Sequence, residues 1–185
     1  MPRAKPANPR PLRSAFARVA RASLLLVAIL GLAACGGPSF AGSVYRDGTM
    51  AYRLGELGSG WERLDVGGHN DLAWRNAGVG AIVQVNASCP RTDAPLTALT
   101  NHLLVGFTQR EIQEQALVPM DGREALRTHL IASLDGVPRE LLFVVMKKDD
   151  CVYDFALIAT PGGAYARALP SFERLVAGFS TEVPR

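Results

Sequence analysis

Two hydrophobic rhythms run along this chain. Leu96, Leu99, Leu103, Leu104 and Phe107 recur at helical spacing, so one stripe faces a core. Thr92 and Asp93 stand ahead of it as helix-cap residues, and Pro95 falls in the first turn, where a missing N–H is harmless. The polar stretch 108–115 reads as a continuation of that helix. Phe172, Leu175, Val176 and Phe179, at i, i+3, i+4 and i+7, predict a closing helix that Pro170 opens.

Elsewhere the period is two. Residues 52–54, 61–66, 71–75 and 81–88 read as strands before the first helix, and 124–134, 141–146 and 152–160 as strands after it. In 124–134, Leu126, Thr128, Leu130, Ala132 and Leu134 share one face. The run 141–146 is apolar throughout and reads as an interior strand. Gly58-Ser59-Gly60, Asp135-Gly136 and the stretch 147–150 mark turns. Strands joined by such short turns must be antiparallel neighbours, and amphipathic helices need a sheet to cover. The fold class is α+β: a central antiparallel β-sheet covered by two or more helices.

The N-terminus follows neither rhythm. Residues 24–34 are an apolar run of 11, against the roughly 20 that a membrane span needs. Arg3, Lys5, Arg10, Arg13, Arg18 and Arg21 precede it without one acidic residue, and Leu32-Ala33-Ala34-Cys35 ends it. This order resembles the lipobox of bacterial lipoproteins. The resemblance implies a signal peptide over 1–34, cleavage before Cys35 and lipid on Cys35. The expected location is the outer membrane, facing the periplasm, because Gly36 stands where an aspartate would signal inner-membrane retention. Residues 35–48 are expected as lipidated N-terminus and flexible tether, 49–181 as the globular domain and 182–185 as a tail.

That division changes the charge. The full chain carries +3; without the six basic residues of the signal, 14 Lys and Arg face 17 Asp and Glu, a net of −3. The case for nucleic acid goes with the discarded segment. It also changes the cysteine count. With Cys35 assigned to lipid, Cys89 and Cys151 remain. An even remainder in an oxidising compartment predicts one disulfide, two free buried thiols being the alternative.

Gly58 to Trp61, the helix from Pro95 to Phe107, Asp121-Gly122-Arg123-Glu124-Ala125, the Asp135-Gly136 turn and the closing Phe172 to Phe179 helix resemble the PsbP-like group, which includes periplasmic lipoproteins of the DcrB type. The resemblance implies an α/β/α sandwich and a largely non-enzymatic role.

No assembled catalytic motif stands in the sequence. His69, His102 and His129 lack metal-site spacing, and no cofactor or metal is expected. Gly58-Ser59-Gly60 falls short of a nucleophile elbow. Arg127 and His129 share a strand face and either line a small anionic pocket or belong to a polar outer face. Trp61 and Trp74 either cap the core or form an apolar binding lip. The leading expectation is a lipid-anchored, non-catalytic binding or accessory protein of the envelope, with the membrane and an envelope protein as partners. A periplasmic enzyme such as a hydrolase, using His129 and Arg127, is one alternative. Handling of a small apolar ligand or lipid is another.

Overall fold

In the computed structural model, which describes residues 37–48, 50–67, 71–91 and 93–181, the period-two segments pair as antiparallel strands. In chain order the elements are β1 (Ser39–Ala41), β2 (Val44–Asp47), β3 (Met50–Arg53), β4 (Glu62–Leu64), β5 (Leu72–Asn76), β6 (Ala81–Ser88), α1 (Leu96–Leu103), β7 (Phe107–Met120), β8 (Arg123–Leu134), β9 (Val137–Lys148), β10 (Cys151–Ala159) and α2 (Gly163–Ala177). The large sheet has the order β4-β5-β6-β10-β9-β8-β7. The chain crosses once, from β6 through α1 to the far edge, and then returns strand by strand until β10 pairs with β6. A separate sheet, β1-β2-β3, is made of the N-terminal strands.

The three long hairpins share one turn chemistry. Asp121-Gly122, Asp135-Gly136 and Asp149-Asp150 all take positive φ at both positions, the conformation a type I′ turn requires. Glycine reaches it freely, and aspartate tolerates it through its short polar side chain.

Alternation along β9 divides the core between the two faces. Leu142, Val144 and Met146 join Tyr52, Phe155, Phe172, Leu175 and Phe179 on one side, under α2 and the β1–β3 sheet. Leu141 and Phe143 join Leu130, Ala132, Leu104 and Ala156 on the other, under α1. The central sheet thus lies between α1 and α2, and the small sheet shares with α2 the covering of its face. Gly55 ties these coverings together, its N–H donating to the Leu175 carbonyl at 2.9 Å. A Cβ on Gly55 would overlap the Arg174 carbonyl oxygen.

The structure differs from the sequence reading at four places. Residues 39–47, expected as tether, hold β1 and β2, with Phe40 packed on the core. Residues 108–115, expected as helix, lie in the edge strand β7; both its faces are largely exposed, so no alternation marks it. The closing helix starts at Gly163, and Pro170 lies inside it, because Tyr165 and Ala168 are buried upstream of the proline. The first helix has Pro95 itself at the N-cap and no side-chain cap. Thr92 lies outside the described residues, as do the segment 1–34, Cys35, His69 and the tail 182–185.

Candidate functional site

Arg127 and His129 project from β8 toward α2, not toward an open outer face. Their register partners Val144 and Leu142 belong to the core beneath that helix. Arg127 reaches two carboxylates, Glu114 on β7 at 3.1 Å and Glu173 on α2 at 3.6 Å. His129 Nε2 lies 3.0 Å from Glu140 Oε1, a hydrogen bond that requires the proton on that nitrogen. Its ring stacks on Tyr165 of α2, centroids 4.6 Å apart and planes 8° from parallel. The second Glu140 oxygen accepts the Gly162 N–H at 2.7 Å, at the N-terminus of α2, where a carboxylate is favoured. Burial pushes the Tyr165 hydroxyl up to about 12, with Arg127 pulling the other way. The arrangement is a polar seam stitching α2 to β7, β8 and β9. Arg127 thus already meets two negative groups, and its side chain also lines the adjoining cleft.

Beside the seam, and sharing Arg127 and Glu173 with it, lies a cleft of about 270 Å³ whose apolar wall includes Val118, Met120, Val144, Phe172, Val176 and Phe179. α2 packs on β10 and β6, and the cleft lies between its flank and the end of β7. Asp121 borders the cleft and binds the Lys148 ammonium at 2.9 Å and the Thr181 N–H and hydroxyl at 3.0 and 2.9 Å. Burial alone would raise the Asp121 carboxyl, but these donors outweigh it and hold it below the usual carboxylate range.

Trp61 and Trp74 come together. Trp74 is in the core, edge-on to Phe40 with centroids 5.8 Å apart, and Trp61 packs against the rim. Both line an open groove of about 700 Å³ with Phe40, Leu57, Glu56 and Leu175. Trp61 precedes β4 and does not belong to it, so it hangs at the sheet's end.

Burial perturbs two further carboxylates. Asp71 accepts the Tyr52 hydroxyl at 3.1 Å and the Ala87 N–H at 2.8 Å, and burial raises its carboxyl. Burial and the Asp71 charge push the Tyr45 hydroxyl up to about 12, and the same causes raise Tyr52 further. Asp71 borders a second groove of about 740 Å³ with Pro38, Asp47, Arg63 and Asp65. Asp154 lies mid-strand in β10, and burial pushes its carboxyl up to about 6. A lone charge in an otherwise apolar strand was its signal. Among the described residues, no group of three or more His, Cys, Asp or Glu is placed to hold a metal.

Cys89 and Cys151 are joined. Cys89 directly follows β6 and Cys151 opens β10, and the adjacent pair Ser88 and Val152 are in register, so the disulfide closes the end of that strand pair.

No family profile and no curated protein sequence matches this chain. Solved structures do. The solution structure of the cyanobacterial PsbP, CyanoP, from Synechocystis sp. PCC 6803 is similar with a TM-score of 0.54 at 20% identity, over 80% of this chain and 98% of that one. LpqN of Mycobacterium tuberculosis, described as involved in cell envelope biogenesis, is similar with a TM-score of 0.54 at 9% identity, over 77% of this chain and 88% of that one. A crystal structure from Bacteroides thetaiotaomicron VPI-5482 is similar with a TM-score of 0.50 at 12% identity over 71% of this chain, which spans 45% of that protein. The likeness is one of fold: the domain has a PsbP-like fold, as the sequence resemblance implied.

Proposed function

We propose that this chain is a lipid-anchored protein of the bacterial envelope, facing the periplasm from the outer membrane, whose domain binds a partner and performs no catalysis. The observation that carries the non-catalytic reading is the engagement of Arg127 and His129. His129 is paired with Glu140 and stacked on Tyr165, and Arg127, although it lines the cleft, is already paired with Glu114 and Glu173. The anchor rests on the basic, apolar and Leu-Ala-Ala-Cys order ending at Cys35. The envelope setting is supported by the fold likeness to LpqN.

Metabolic labelling with palmitate tests the anchor: the native chain takes up label and Cys35→Ser does not. Label retained by Cys35→Ser, or an unlabelled native chain, contradicts it. Cross-linking in intact membranes tests binding, with one reproducible partner expected. Turnover of a substrate by the purified chain, lost in His129→Ala, would restore the enzyme alternative.

The cleft beside α2 favours a second reading, in which the domain holds a small apolar ligand. Its walls are mostly apolar, with Asp121, Arg127 and Glu173 also lining it, and its size admits a short hydrocarbon group. Native mass spectrometry of protein taken from membranes reads this directly. An added mass released by organic extraction supports the reading, and the bare polypeptide mass refutes it.

A further inference from the structure

With β1 and β2 folded, little chain remains to act as a tether. Only Gly36, Gly37 and Pro38 separate Cys35 from Ser39, the first residue of β1. Four Cα steps reach at most about 14 Å even when fully extended. Cys35 lies at the level of the lipid headgroups if it carries acyl chains, and the headgroup layer is itself roughly 5–8 Å deep on each side. The start of β1 is therefore held within about 14 Å of the headgroups, close enough for the surface around it to touch the bilayer.

That surface has the chemistry of a membrane interface. Phe40 of β1 and Trp61 line the same open groove and are both only partly buried. The Arg63 guanidinium stands 5.2 Å from the centre of the Phe40 ring, on the exposed edge strand β4. Aromatic rings with one wet edge, beside a long basic side chain, are the groups that settle at the headgroup level.

We propose that the face carrying Phe40, Trp61 and Arg63 lies on the headgroup surface of the membrane that holds the anchor. This rests on the lipid-anchor reading and adds an orientation to it. β4 is then the membrane-side edge of the large sheet. β7 is the opposite edge, six strand spacings away, about 29 Å at the usual interstrand distance. The exposed β7 edge then faces away from the lipid.

The test uses the chain's only two tryptophans, Trp61 and the core residue Trp74. The full acylated chain is placed in phosphatidylethanolamine–phosphatidylglycerol vesicles containing a lipid spin-labelled close to the headgroup. Mass spectrometry of the N-terminal peptide is run on the same sample. Docking predicts that tryptophan emission falls by roughly a third to a half, and that Trp61→Phe removes most of the fall. Emission unchanged in a chain bearing acyl mass on Cys35 overturns the docking alone, as does equal quenching in Trp61→Phe. A Cys35 peptide without acyl mass overturns the anchor and the docking together.

Discussion

Asp154 is the charged residue that β10 carries among its apolar neighbours, and it makes stability depend on pH. Its folded carboxyl titrates at about 6 because burial opposes ionisation, against 3.8 as the ordinary value. A raised carboxyl favours the folded state when protonated. Its contribution is therefore complete below the ordinary value and is lost as pH rises through the folded one. Asp154→Asn should stabilise the domain by roughly 1–3 kcal/mol at about pH 8 and by close to nothing at about pH 4, read by urea unfolding. A gain that does not depend on pH would disprove this origin. Gly55 makes a steric prediction. Gly55→Ala drives a methyl into the Arg174 carbonyl and should lower stability by about 1–3 kcal/mol in thermal melts. Neither effect is visible from residue type alone. The glycine matters because the end of α2 crosses it, and the aspartate because its strand is central.

Among the elements, α2 carries a strain of its own. Pro170 has no N–H for the Ala166 carbonyl, yet the helix runs through it. It is exposed, so Pro170→Ala restores one hydrogen bond without disturbing the core. The gain should be about 1–3 kcal/mol, the helix penalty of proline offset by the looser unfolded chain. A fall in unfolding midpoint would contradict it. By sequence the helix start falls at this proline, because proline is usual in a first turn. Burial of Tyr165 and Ala168 won over that local rule. The segment 108–115 misled for the converse reason. β7 is an edge strand, with Ile112 and Leu117 more than half exposed, so its pattern does not report a face. Register shifts at Thr108–Glu111 and Ile112–Glu114, together with its charges, make that edge a poor template for stray strands. By contrast, β8, β9 and β10 were legible, because each has a buried face and a short turn of fixed chemistry.

At the scale of the molecule, the antiparallel sheet, the α+β class and the Cys89–Cys151 pairing followed from the sequence. The small N-terminal sheet did not, because Gly36 to Ser43 has the composition of a linker; only packing of Phe40, Tyr45 and Tyr52 on the core gives it structure. The candidate chemistry at Arg127 and His129 was found in sequence but assigned to the wrong surroundings, since nothing local announces that α2 will lie over them. Replacing both Cys89 and Cys151 by serine should lower stability by about 2–4 kcal/mol, because the bridge closes a long loop in the unfolded chain. An unchanged unfolding midpoint would count against that.

The same bridge encloses α1, β7, β8 and β9 between its ends, with a sequence separation of 62. Val105, 72% exposed, stands in the link between α1 and β7 and invites a protease. One cut there would divide the backbone without dividing the molecule. The fragments would run as one band without reductant and as two with it, and the nicked domain would keep its sheet. Chain scission and loss of the fold are thereby uncoupled for every cut inside the enclosed segment, so reduction, and not cleavage, is the event that releases its pieces.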